Sequence, residues 1–160
     1  MLTNPNIPNT AAERKDVLAA ANTIGQQVFT IDVGSERDFE AAFATFVQRK
    51  IGALFVGSGG FLNSQRERLV ALAARHALPA CYVWREAAFA GGLMSYGPSV
   101  TDGHHQVGIY TGRILKGEKP ADLPVMQSTR FEFVINLKTA KTLGLEFHPQ
   151  LLATAHEVIE

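Results

Sequence analysis

The glycine-rich loop Gly57-Ser58-Gly59-Gly60 is the first feature that suggests ligand chemistry. It follows an apolar run and precedes a helical pattern, which is where open α/β sheets bind ligands. Backbone N–H groups at the start of a helix can hold an anion. Position 62 is leucine, so the dinucleotide fingerprint G-x-G-x-x-G is incomplete, and the Gly-Lys-Ser/Thr of a P-loop does not follow. The loop is interpreted either as a ligand contact or as a plain tight turn.

Aromatic and cationic side chains stand at the predicted ends of two later strands. Trp84 and Arg85 follow the run Ala80-Cys81-Tyr82-Val83. There the indole could stack on a ligand, and the guanidinium could pair with its carboxylate. The alternative is a half-buried tryptophan beside a surface ion pair. Tyr96 ends the next predicted strand, and it is either the wall of a pocket or a core residue.

Catalytic and metal sites are not predicted. His104 and His105 are adjacent, so on a helix they point about 100° apart and form no common metal face. Asp102 is explained as a helix cap, and the single cysteine, Cys81, is interpreted as a small buried hydrophobe. No nucleophile, base and orienting group come together in the sequence. We therefore expect neither an enzyme nor a bound cofactor.

The composition limits the class of partner. Lys plus Arg number 15, as do Asp plus Glu, in 160 residues, and such a balance argues against nucleic-acid binding. No apolar run reaches the roughly 18 residues that a membrane-spanning helix needs. The segment Met1–Thr10 is polar and lacks the pattern of a signal peptide, so the chain as printed is expected to stay in the cytoplasm.

The first half of the chain alternates helix and strand, and this alternation predicts a parallel, doubly wound α/β sheet. The expected caps are Thr10 with Glu13, Ser35 with Asp38, and Asn63 or Ser64. Only Met1-Leu2-Thr3 precede the first turn, so a strand there is expected to be nearly absent. The predicted elements are helices over 10–24, 35–50 and 63–77 and strands over 27–33, 51–56 and 80–84.

The second half is less regular. A helical turn over 85–90 is broken by Gly91-Gly92. Thr101 or Asp102 is expected to cap a helix that ends near Lys116. Two prolines interrupt the connection that follows. The other predicted elements are strands over 93–96 and 131–137, a short helix over 138–143 and a last helix over 149–159.

Several motifs in order resemble a known family. They include Phe61-Leu62-Asn63-Ser64-Gln65-Arg66-Glu67, Gly91-Gly92-Leu93-Met94-Ser95-Tyr96-Gly97 and the run from Tyr110 to Val125. The chain resembles the ABC-transporter substrate-binding proteins of the tryptophan/tyrosine-binding-like family, which have the type I periplasmic-binding fold. The resemblance implies a periplasmic receptor, an ABC permease as partner, and an amino acid or small carboxylate as ligand. The candidate ligand contacts are Ser58, Phe61, Asn63, Trp84, Arg85 and Tyr96.

The resemblance also implies that this chain corresponds to the C-terminal half of the family fold. Residues 1–90 and 125–160 are expected to form the ligand-binding lobe, and 91–124 to cross into a first lobe. The crossing segment would then find no sheet within its own chain, and its apolar faces predict a homodimer, with segments exchanged between copies as one possible form. Two alternatives stay open: a truncated fragment without ligand affinity, and a nucleotide-using α/β enzyme built on the glycine loop.

Overall fold

The computed structural model describes residues 1–160 and contains one seven-stranded sheet in the order β2-β1-β3-β4-β5-β6-β7. All neighbours are parallel except β5 and β6, which are antiparallel. The strands are β1 Leu2–Thr3, β2 Ile31–Asp32, β3 Leu54–Val56, β4 Ala80–Tyr82, β5 Met94–Pro98, β6 Phe131–Asn136 and β7 Glu157–Ile159. The helices are α1 Thr10–Thr23, α2 Asp38–Gln48, α3 Gly60–Ser64, α4 Arg66–Arg75, α5 Arg85–Phe89, α6 Val100–Leu115, α7 Leu137–Thr142 and α8 Pro149–Thr154, with a 3₁₀ turn over Pro120–Asp122.

The core lies under α2 and α4. Phe39, Phe43 and Phe46 recur at helical spacing on α2, so all three rings lie on one face of that helix and are buried. They belong to one cluster with residues of the sheet such as Leu2 and Leu54. Full burial of each large apolar side chain contributes roughly 1.5–3 kcal/mol. This cluster confirms the α/β class that the alternating pattern predicts.

The ranges of α1 and α2 lie close to the predicted ranges 10–24 and 35–50, but their predicted N-cap residues are wrong. Asn9, not Thr10, is the N-cap of α1, and the Thr10 hydroxyl donates to the Asn4 carbonyl at 2.6 Å. Asp38 accepts from the N–H groups of Gly34 and Ser35 instead of lying inside a helix capped by Ser35. These hydrogen bonds hold the pKa of the Asp38 carboxyl below its usual range.

Two further caps were placed wrongly from the sequence. Asn63 and Ser64 end the short helix α3, and the longer helix predicted there is broken at Gln65. Ser99 caps α6 by accepting from the Asp102 N–H, so neither Thr101 nor Asp102 does so. No side-chain oxygen caps α1, α2, α3 or α4, and the hydroxyl that caps α6 comes two residues before Thr101 and three before Asp102. Ser, Thr and Asp are all favourable N-cap residues, so the sequence could not choose among them.

β1 is as short as expected, because only two residues form it, and it lies fully buried between β2 and β3. Two other expectations were wrong. The tail divides into α8 and the strand β7, because the hydrogen bond from the His156 N–H to the Phe133 carbonyl joins it to β6. β5 pairs with both β4 and β6, so the segment from Leu93 does find a sheet within its own chain.

Helix α6 is the element that the rest of the chain leaves uncovered. None of its residues is buried, and Val107 and Leu115 are 63% and 83% exposed. The segment 120–129 lies beside it, and the Tyr110 hydroxyl donates to the Pro124 carbonyl at 2.7 Å. The three-part division of the chain at residues 90 and 124 stays a prediction. No helix is both long enough and apolar enough to span a membrane.

Candidate functional site

A cavity lies at the carboxyl ends of β3 and β4. Val56 and Tyr82, the last residues of those strands, form part of its wall together with Leu62 of α3 and Ala87 of α5. It encloses about 220 Å³ when its open mouth is included. Pockets for drug-sized ligands begin near 300 Å³. The cavity is therefore smaller than the pockets that enclose a drug-sized ligand.

Three of the residues that line this cavity carry a polar side-chain atom without a hydrogen-bond partner in the protein. These atoms are the Oδ1 atom of Asn63, the hydroxyl of Tyr82 and the indole Nε1 of Trp84, and all three atoms are buried. Burial raises the pKa of the Tyr82 hydroxyl well above its usual range, so the hydroxyl keeps its proton and can donate it. A buried polar group without a partner costs roughly 1–3 kcal/mol. Such groups are satisfied in folded proteins by a buried water or by a polar group of a ligand.

Arg66 contributes the positive charge of the cavity wall, although its sequence context does not single it out. Its Nη1 donates to the Asn63 carbonyl at 3.3 Å, and the nearest carboxylate, that of Glu67, is 3.8 Å from Nη2. On sequence alone Arg66 looks like any arginine on an exposed helix face. The available signal was its position in the first turn of the helix that follows the glycine loop and α3.

Arg85 is held by carboxylates of the chain itself. Its Nη1 lies 2.9 Å from Oε2 of Glu132, and its Nη2 lies 2.5 Å from Oε2 of Glu157. The Ser99 hydroxyl also donates to Glu132, and this bond together with Arg85 holds the pKa of that carboxyl below its usual range. A ligand carboxylate at Arg85 would have to displace one of these partners.

Hydrogen bonds to α1 and β1 hold the glycine loop in place. The Ser58 N–H donates to Oε1 of Glu13 at 2.8 Å, and the Gly57 N–H donates to the Leu2 carbonyl at 2.9 Å. The expectation of free N–H groups is therefore wrong for these two residues. Gly59 has φ +130°, a conformation that favours glycine.

The remaining aromatic candidates lie outside the cavity wall. Tyr96 is 56% exposed and stacks on Phe131, with ring centroids 5.7 Å apart. Phe61 stacks on Phe39 at the same distance and packs against the core. Of the six residues singled out from the sequence, the structure brings Asn63 and Trp84 into one cavity wall. The other four, Ser58, Phe61, Arg85 and Tyr96, are not part of it.

An open groove of about 630 Å³ extends the same edge of the sheet beyond β1 and β2. Arg14 and Asp32 form an ion pair in its wall, and the Arg14 guanidinium also donates to the Thr3 hydroxyl at 3.1 Å. The side chain of Ile7, from the loop after β1, approaches Gly59 closely. The cavity and the groove therefore lie on one continuous face formed by the loops after the parallel strands.

Comparisons with known proteins agree with this architecture. The family model described as ABC transporter substrate binding protein matches residues 1–159. An ABC domain from Streptococcus pneumoniae, solved in complex with L-Trp, is 26% identical with a TM-score of 0.89, and the match covers 99% of this chain and 53% of that one. No curated protein matches the chain.

Two further solved structures share the fold. A conserved domain protein from Vibrio cholerae is 20% identical with a TM-score of 0.88, covering 98% of this chain and 53% of that one. The ligand-free, open structure of CD0873, a substrate binding protein with adhesive properties from Clostridium difficile, is 20% identical with a TM-score of 0.69, covering 99% and 52%. The chain spans about half the length of these solved relatives.

Proposed function

The chain belongs to the ABC transporter substrate-binding protein family, and we propose that it forms one lobe of a solute receptor for an ABC importer. It holds an amino acid or small carboxylate without changing it chemically. The observation that carries the proposal is the cavity lined by Asn63, Tyr82 and Trp84, each of which has a buried polar atom without a partner. The L-Trp complex of the pneumococcal relative supports this ligand class. A permease partner and a periplasmic location follow from the family and are part of the proposal.

The lobe supplies only part of a binding cleft. Ligand pockets bury most of the ligand surface, whereas this cavity encloses only about 220 Å³ with its open mouth included. The rest of a ligand would lie over the loops that follow the parallel strands. A second protein surface would have to cover it there. Roles for Ser58, Phe61, Arg85 and Tyr96 as contacts on this open face stay predictions.

We also propose that a second copy of the chain provides a cover for the apolar surface of α6. The support is that α6 has no buried residue. Its exposed apolar side chains are Val100, Val107, Ile109, Ile114 and Leu115, with Val125 and Met126 beside them. Val100, Val107 and Ile114 recur every seven residues and therefore share one face of the helix, and an exposed apolar face of this kind is typical of an interaction site. The homodimer, with or without exchanged segments, buries this surface.

A thermal-shift screen against amino acids, small carboxylates and nucleotides tests the proposal, with light scattering on the same sample. We expect a saturable rise in the melting temperature with one carboxylate class, because binding to the native state stabilises it. A folded dimer without any shift would instead indicate a fragment that has no ligand affinity of its own. A shift with nucleotides alone would favour the enzyme alternative.

A further inference from the structure

The sequence of α6 is poorly suited to a helix that stands alone. Three of its sixteen residues are glycines, Gly103, Gly108 and Gly112, and each is about 1 kcal/mol less favourable in a helix than alanine. None of the residues of α6 is buried. Because helices in proteins are stabilised mainly by the packing of an apolar face, α6 needs a surface that covers it.

The apolar residues that share one face of α6 are arranged symmetrically along it. Val100 is the first residue of the helix, Val107 lies at its middle and Ile114 is next to its last. Their spacing of seven residues is typical of the seam between two packed helices. If the helix is reversed about Val107, Val100 and Ile114 exchange places and Val107 keeps its own. This apolar face therefore matches a second copy of itself that runs in the opposite direction.

The same face forms the floor of an open groove. The segment 120–129 provides the other wall, and the groove encloses about 1100 Å³ with its open mouth included. Val107 and Ile114 lie on the floor, and Val125 and Met126 lie on the wall. All four of these side chains are exposed. A helix placed in the groove would therefore bury apolar side chains on both sides, which is favourable in proportion to the area removed from water.

The charges of α6 favour pairing in opposite directions over pairing in the same direction. Asp102 lies in the first turn, and Arg113 lies in the last turn, which Lys116 follows. Neither Asp102 nor Lys116 forms an ion pair within the chain. Opposite directions bring the acidic end of one helix beside the basic end of the other and oppose the two helix dipoles. Exposed charges contribute little affinity, but they select the arrangement of the partners.

We infer that α6 packs against α6 of a second copy in the opposite direction, with a two-fold axis at Val107, and that each helix lies in the groove of the other copy. The inference rests on the second copy proposed above and specifies its contact. Val107 then meets Val107 of the second copy, and Val100 meets Ile114. Because both copies use the same surface, the interface closes on two chains.

Disulfide formation between single-cysteine variants tests both the contact and its direction. Val107→Cys should form a covalent dimer with itself, and a mixture of Val100→Cys and Ile114→Cys should form the mixed dimer. Val100→Cys alone should not, because its two cysteines would lie about 21 Å apart along the paired helices, and a disulfide spans at most about 7 Å between Cα atoms. Burial raises the pKa of the Cys81 thiol to about 11, so wild type serves as the reference without crosslinks.

His105→Cys is the matched control for Val107→Cys. Residue 105 is exposed on the same stretch of α6, but it points about 160° away from Val107 around the helix. Thiols that face each other in a dimer have a millimolar effective concentration, whereas the chains themselves are used at micromolar concentration. Val107→Cys should therefore crosslink at least about tenfold faster than His105→Cys. Circular dichroism checks that each variant is folded.

Light scattering on wild type separates two ways in which the inference can fail. If wild type is dimeric but Val107→Cys crosslinks no faster than His105→Cys, or Val100→Cys crosslinks with itself, the inferred contact is wrong and the proposed dimer stands. If wild type is monomeric at every concentration and no variant crosslinks, the proposed dimer fails and the inference fails with it. Solute binding is measured separately by thermal shift, so neither result decides it.

Discussion

The carboxylate of Glu13 on α1 accepts a hydrogen bond from the backbone N–H of Ser58 at 2.8 Å, although 45 residues separate the two along the chain. The other carboxylate oxygen faces Gly57, where an added Cβ would lie 3.0 Å from it. Helix α1 thus holds the loop that follows β3 in place. The glycine loop is a fixed part of the lobe and not a free anion cradle.

Removal of the Glu13 carboxylate should loosen this loop. We expect Glu13→Ala to lower the free energy of unfolding by about 1–2 kcal/mol, because the part-buried Ser58 N–H loses its acceptor. Glu13→Gln keeps a carbonyl acceptor and should recover most of the loss. Urea denaturation measures both, with Asp16→Ala, on an exposed position of the same helix, as control. Equal stability of Glu13→Ala and wild type would show that the contact contributes nothing.

Gly97 is required by the packing of β5 beside the end of β4. A Cβ at this position would lie 2.0 Å from the Val83 carbonyl oxygen, which is backbone and cannot move aside cheaply. Gly97→Ala should destabilise the chain by about 3 kcal/mol or more. Gly103→Ala, on α6 with nothing near the added methyl, should instead stabilise it by about 0.5–1 kcal/mol. Thermal unfolding measures the stability of both variants. A Gly97→Ala variant that is only slightly less stable than wild type would contradict this packing.

The Glu132 carboxylate should make stability depend on pH. Its pKa is lowered in the folded state, chiefly by the Ser99 hydroxyl and then by Arg85. The stabilisation is therefore present above the ordinary value of 4.5 and is lost as pH falls through the lower, folded pKa. Glu132→Gln should be less stable than wild type at neutral pH, with the difference shrinking in acid.

Urea denaturation at several pH values measures the contribution of Glu132. Glu86→Gln, at an exposed glutamate on α5, serves as the control and should show no such trend. If the difference in free energy of unfolding between wild type and Glu132→Gln stays constant as the pH falls, the predicted pH dependence is wrong.

Trp84 should matter for ligand affinity through both its ring and its N–H. Trp84→Ala is expected to weaken binding by more than about 1 kcal/mol, because it removes a buried aromatic contact. Trp84→Phe keeps a ring but removes the donor, so it separates the two contributions. Calorimetry with the best ligand from the thermal-shift screen measures them. An affinity unchanged in Trp84→Ala would remove this residue from the site.

The apolar surface of α6 should control association. Val107→Glu and Leu115→Glu place charges on its two most exposed apolar positions, and we expect them to convert a dimer into a monomer in light scattering. Leu18→Glu, at an exposed leucine of α1, should leave the association state unchanged. A wild-type chain that stays monomeric across a wide concentration range would contradict the dimer.

Much of the architecture followed from local sequence patterns. The alternation of helical and extended periodicity up to Tyr82 gave the parallel sheet, and the family-like motifs from Phe61 onward gave the receptor family. The glycine loop follows a strand, as the sequence predicts, and Asn63 and Trp84 line one cavity, while their role as ligand contacts stays a prediction. These features are encoded within short stretches, since side-chain period and turn residues act over a few positions.

Only the tertiary structure decided which arginine is available and which loop atoms are free. Arg85 meets Glu157 across 72 residues, and Ser58 meets Glu13 across 45. Such pairs depend on strand order, which brings β6 and β7 to one side of β4 and β1 to the other. The sequence shows which side chains are charged. The partner of each charge depends on the order of strands that are distant along the chain. That is why Arg66 carries the free charge in the cavity and Arg85 does not.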